Sequence, residues 1–171
     1  IGTSVEDASN NAINAANASF TAADILAPTM IITSAEVSDG ASSNDSTLAM
    51  TFTSSEATSN FVVGDISVNG GALSSFNATS STVYTATFTP SGDGAKTIDV
   101  AGGAFTDSSS NNNSAANQFN WTYDATSPTT TFSPANSATA VAVASDITLT
   151  FNEAVRLTNN SALDDSNVDA L

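Results

Sequence analysis

The chain contains no cysteine and no histidine, and only two of its 171 residues, Lys96 and Arg156, are basic. Without cysteine no disulfide can hold the fold, and the redox state of the compartment cannot be read from that count. Without histidine and cysteine, neither a Ser-His-Asp triad nor a thiol nucleophile can be built, and zinc lacks its usual ligands. Set against seventeen Asp and Glu, the two basic residues leave a net charge of -15. That balance excludes nucleic acid and anionic membrane surfaces as partners, because both are bound by basic groups that release counterions. No apolar run approaches the roughly 18 residues that a spanning helix needs, so no membrane insertion is expected. No glycine-rich phosphate loop occurs, and the pairs Gly70-Gly71 and Gly102-Gly103 read as hairpin punctuation. The acids sit in turn-like stretches rather than as a pair opposed across a cleft, as a glycosidase would need. The expectation is a protein without enzymatic activity.

What the chain does have is strand vocabulary. Ser, Thr and Asn make up 69 residues and apolar types 40%, a mixture suited to strands with a polar outer face. Every clear signal has period two. Leu48, Met50 and Phe52 alternate with small polar residues, as do Ile66 and Val68, then Tyr84, Ala86 and Phe88, then Ile98 and Val100. Phe119, Trp121 and Tyr123 share one face of a last strand, and packing into a core is their expected role. Turns recur about every ten residues, as a small sandwich requires.

Shifting the sequence by 100 residues reveals a repeat. Residues 1 to 28 laid over 101 to 128 coincide at nine positions, among them Asp7 with Asp107, Asp24 with Asp124 and Pro28 with Pro128. Chance matching in a chain rich in Ala, Ser and Asn gives about three, and a fixed period marks a repeat array. Further on, SDITLTFNEAV (145 to 155) resembles STLAMTFTSSEA (46 to 57), an alternating strand followed by Phe and then Glu. The expected organisation is the closing strands of one domain at 1–27, a complete domain at 28–127, and the opening strands of another at 128–171. The opening Ile and the unpunctuated end make the chain read as a segment of something longer.

The central unit resembles the bacterial Ig-like repeats of large surface proteins and adhesins. The stretches that carry the likeness are APTMIITS, SNDSTLAMTFTSSEAT, FVVGDISVNGGALSSF, STVYTATFTPSGDGAKTIDVAGGAFTD and FNWTYDATSPT. The flanks GTSVEDASNNAINAANASFTAAD and PANSATAVAVASDITLTFNEAV look like the last and first parts of the Ig-like domain type found in S-layer proteins. The resemblance implies an all-β chain, an Ig-like β-sandwich in tandem repeats of about 100 residues, and an extracellular setting at the cell surface. Such families often carry Asp-x-x-Gly-Asn in the late loop, where this chain reads Asp107-Ser108-Ser109-Ser110-Asn111. Glycine normally supplies a positive φ at such a turn.

Calcium is the candidate cofactor. A hard cation takes several oxygen ligands, and turns rich in Asp and Asn bring such oxygens together. Asp24 and Asp124 each stand four residues before a junction proline, and Asp7 and Asp107 each begin a late loop. Asp39 and Asp45 lie in a loop that a sandwich would place near the same end of the domain. These six acids are the candidate ligands; alternatively they are solvated acids that cap turns. Lys96, at the polar start of a strand, reads as solvated rather than cross-linked to an Asn. Two functions fit: a spacer or stalk of an adhesin, or a subunit of an ordered S-layer or filament joined by strand complementation between half-domains. The expected partners are neighbouring Ig-like repeats in the same chain or copies of itself.

Overall fold

The computed structural model describes residues 8–9 and 21–164. Ten strands follow one another: β1 (Met30–Ser34), β2 (Ser42–Ser43), β3 (Leu48–Ser54), β4 (Ile66–Asn69), β5 (Gly71–Ala78), β6 (Val83–Pro90), β7 (Gly94–Val100), β8 (Phe119–Tyr123), β9 (Thr130–Ser133) and β10 (Thr148–Phe151). One short 3-10 turn, Val63–Asp65, precedes β4.

The first eight strands form two four-stranded sheets, ordered β1-β3-β6-β5 and β2-β8-β7-β4. All pairs are antiparallel except the short β2, which runs parallel to β8 with Ser43 beside Tyr123. This is the β-sandwich that the alternation implies, of the Ig-like kind that the resemblance implies, with one face of each sheet turned inward. Leu48, Met50 and Phe52 of β3, Tyr84, Ala86 and Phe88 of β6, and Ile98 and Val100 of β7 are all buried. Phe119 and Trp121 join them, and the Trp121 ring meets Phe88 edge-on at 4.9 Å. Phe119 and Trp121 of the last strand's aromatic stripe are therefore core, whereas Tyr123 is only half-buried.

Loop residues complete the core, among them two aromatic rings and Val37 between β1 and β2. Phe61, between β3 and β4, lies among the rings of Phe52, Phe76, Tyr84 and Phe105 at centroid separations of 5.0 to 6.0 Å. Phe105 is equally buried, in the loop after β7. The exposed strand β5 is interrupted by a register shift between Ser74 and Asn77, with Ser75 at φ 53. A bulge of this kind blunts an edge that could otherwise pair with another chain.

Lys96 departs from the sequence expectation. It is 2% exposed rather than solvated. The backbone crosses over it at Gly70, where φ is 75 and an added Cβ would stand 2.6 Å from Lys96 Cδ. At Gly71 a Cβ would stand 2.3 Å from the Phe88 ring. The Gly-Gly pair is thus a site of close approach as well as a turn. The Lys96 ammonium donates to the Asp93 carbonyl at 3.5 Å, and among the described residues no Asn amide partners it.

Beyond the sandwich, β9 and β10 pair antiparallel, with Phe132 opposite Leu149. Their counterparts 100 and 99 residues earlier, Ile32 and Met50, are buried, whereas Phe132 and Leu149 are 51% and 45% exposed. No helix among the described residues is long and apolar enough to cross a membrane.

Candidate metal centre

Three carboxylates converge where the chain enters the sandwich. Oxygens of Asp24, Glu56 and Asp107 all lie within 4.8 Å of one another. Each comes from a different segment: the stretch before β1, the loop after β3, and the loop after β7.

The β3 loop is held from below. Phe61 anchors its far end in the core, the buried Tyr84 hydroxyl donates to the Thr58 carbonyl at 2.8 Å, and the Thr58 amide donates to Ser81 O at 2.8 Å. Glu56 is carried on the near side of this loop and is half-buried. Its Oε1 is buried and has no hydrogen-bond partner. Burial, followed by the negative charges of Asp24 and Asp107, pushes its carboxyl above the ordinary range. A buried carboxylate oxygen without a donor is costly unless a proton or a cation meets it.

The late loop is held by Asn113, 3% exposed, whose Oδ1 accepts from the Phe105 amide at 2.9 Å and whose Nδ2 donates to the carbonyls of Ala101 and Ser114. Asp107, 7% exposed, sits inside the turn. Burial pushes its carboxyl up, but donations from the Asn111 side chain and the Asn111 and Ser109 amides outweigh this and hold it below the usual range. Ser110 adopts φ 69 at the position where the resemblance leads one to expect glycine. The turn forms without glycine, at the cost of a side chain in the left-handed region.

Asp24 brings the stretch before β1 to this turn. Its Oδ1 accepts from the Leu26 amide, its Oδ2 from the Ser109 hydroxyl at 3.5 Å, and its carbonyl from Asn111 Nδ2 at 3.1 Å. Further along, Pro28 O accepts from the Ser114 amide and Thr29 exchanges bonds with Ser55. The set is all oxygen, all anionic and without a basic neighbour within ion-pairing reach, which is the donor chemistry of a hard divalent cation.

Of the six acids singled out from sequence, the structure brings together Asp24 and Asp107. Asp39 instead receives the amide and side chain of Asn120 at 2.8 and 2.9 Å, tying the β1–β2 loop to β8. Asp45 accepts from the Ser43 hydroxyl and amide-bonds back to it. Asp124 donates its amide to Ser43 O and accepts from the Thr126 amide at 3.2 Å. It lines a polar cleft of about 330 Å³ with Ser42, Ser43, Asn44 and Arg156. Asp7 lies outside the described residues. Glu56, the third member of the cluster, was not among the candidates. Its one sequence signal is the Phe-then-Glu pattern after the strand, shared by Phe52/Glu56 and Phe151/Glu153.

Compared with known families, residues 24–123 match the model of the bacterial Ig-like domain. The match begins at Asp24 and ends at Tyr123, so it takes in all three acids of the cluster. No curated protein matches the chain.

Proposed function

The chain belongs to the bacterial Ig-like domain family, a family of structural modules, and from that premise we propose that it is a spacer segment of a large extracellular surface protein. Its task in this reading is to hold a binding tip away from the cell, with calcium stiffening the junction between domains. The observation that carries the reading is the convergence of Asp24, Glu56 and Asp107 within 4.8 Å. Asp24 belongs to the linker and the other two to the domain. A cation shared by all three fastens one to the other and removes the repulsion between them. Modules that touch only their neighbours suit an extended array, and the charge of -15 discourages collapse of one module on the next. The partners are neighbouring Ig-like repeats. Immunogold labelling of intact cells with antibody against residues 24–123 tests the placement. Label standing off the cell surface is expected; label only after permeabilisation overturns it.

A second reading, an ordered assembly subunit, draws on the β9–β10 pair. Phe132, Val141, Val143 and Ile147 line an apolar groove of about 590 Å³, and two strands alone cannot cover such a face. Strand complementation by a copy of the chain would cover it, as would further strands of the same polypeptide. Electron microscopy of native material separates the readings: a lattice or helical filament favours the subunit, and irregular beaded fibres favour the spacer.

A further inference from the structure

The linker that leaves the sandwich is fastened differently from the one that enters. Between β6 and β7 the chain turns through Ser91-Gly92-Asp93-Gly94, with Gly92 and Gly94 at φ 71 and 106. These two left-handed residues turn Asp93 outward toward the residues after β8. Asp93 Oδ1 accepts from the Ala125 amide at 2.9 Å, and its Oδ2 accepts from the Thr126 hydroxyl. Behind the turn, the buried Lys96 ammonium donates to the Asp93 carbonyl, so one cation backs the carboxylate that grips the linker. Lys96 is the charged group that faces Asp93, and Thr126 and Ala125 supply its donors. The Asp124 amide adds a bond to Ser43 O on the neighbouring strand.

The grip stops at Thr126. The next fastened residue is Thr129, whose amide donates to Asn152 Oδ1 at 2.6 Å while its carbonyl accepts from the Asn152 amide. This resembles the exchange between Thr29 and Ser55, with Thr129 standing 100 residues beyond Thr29 and Asn152 97 beyond Ser55. Among the described residues, Ser127 and Pro128 make no hydrogen bond. The leading linker has Ile25 and Leu26 at the positions of Ala125 and Thr126, 86% and 67% exposed. Leu26 offers no hydroxyl with which to copy the Thr126 bond.

We propose that the Asp93 turn is a metal-independent clamp that makes residues 124–126 part of the sandwich and confines bending of the exit linker to Ser127 and Pro128. The two linkers of one domain are then held by different chemistry: carboxylates awaiting a cation at the leading end, and a carboxylate already met by donors at the exit. The clamp stands whether or not calcium binds the acid cluster.

The absence of cysteine permits a direct test. Cysteines replacing the exposed Thr89 on β6 and Thr131 on β9 carry nitroxide labels in the full chain, and pulsed electron–electron spin resonance reads the spread of distances between them. Thr126→Val and Asp93→Ala should each broaden that spread, while chelator leaves the parent unchanged. Exchange of the Ala125 amide, read by NMR, should quicken about tenfold in Asp93→Ala, as expected for losing a bond to a charged acceptor. Thr126 is exposed, so Thr126→Val gives the result even if Asp93→Ala disturbs the fold. Unchanged spread in Thr126→Val, or broadening of the parent by chelator alone, overturns the proposal.

Discussion

Replacing Glu56 by Gln should have opposite effects with and without calcium. In chelator the parent holds three carboxylates within 4.8 Å, and Glu56 Oε1 is buried without a donor. Burial and the charges of Asp24 and Asp107 raise the Glu56 carboxyl. A folded-state value above the unfolded one means that the proton favours the folded protein, and that this contribution is lost as pH rises through the raised value. The ionised side chain therefore destabilises the fold, and the uncharged Gln relieves the strain. The variant should melt above the parent in chelator. With calcium the order reverses. A ligand at a hundredfold excess over its Kd stabilises the native state by about 2.7 kcal/mol. For a domain of this size each kcal/mol moves the midpoint by roughly 4–8 °C. The parent should gain about 10–20 °C, and Glu56→Gln a small fraction of that. Scanning calorimetry at pH 7, with matched calcium and chelator samples, reads both arms. If Gln lowers the midpoint in chelator and leaves the calcium shift intact, the cluster is a set of hydrogen-bonded turn acids and the electrostatic reasoning is wrong.

Three other outcomes follow from the same structure. In chelator, stability should pass through a maximum at mildly acidic pH, checked by urea melts across pH: protonation of Glu56 stabilises first, then loss of the carboxylates of Asp107 and Asp93, both held low, destabilises as pH falls further. A fall that begins at neutrality would contradict the Glu56 assignment. Phe61→Ala removes a buried ring that touches Phe52, Phe76, Tyr84 and Phe105 and should cost about 3–5 kcal/mol by denaturant unfolding, weakening calcium binding as the Glu56 loop loosens. Gly70→Ala places a Cβ 2.6 Å from Lys96 Cδ at a φ of 75 and should cost about 1–3 kcal/mol, with no change in calcium affinity measured by titration calorimetry.

The sandwich was legible in the sequence because one buried face forces period two on every strand. Leu48/Met50/Phe52 and Tyr84/Ala86/Phe88 could be assigned to the core by counting alone. Two of the three acids in the cluster were legible for a different reason. The 100-residue repeat marks Asp24 and Asp107 by their positions relative to the junction proline and the late loop. Glu56 was not, because its place beside them depends on Phe61 and Tyr84 folding the β3 loop back, a tertiary event without local periodicity. The same limit explains Asp39, Asp45 and Asp124. They satisfy the composition of a cation site, but their oxygens take up amides and hydroxyls of β2, β8 and the exit linker. Lys96 was misread because its alternation places it on the inner face of β7, while its charge argued for solvent. The missing side chain of Gly70 creates the space it fills. The loop turn at Ser110 shows that sequence cannot forbid a left-handed residue where surrounding bonds fix it.

The central claim is that calcium joins the leading linker to the domain. Crystals of the chain grown in calcium test it most directly, through the anomalous difference map. The account predicts a peak bonded to oxygens of Asp24, Glu56 and Asp107 at about 2.3–2.6 Å. A map with no peak there, while the three carboxylates keep their places, would contradict it.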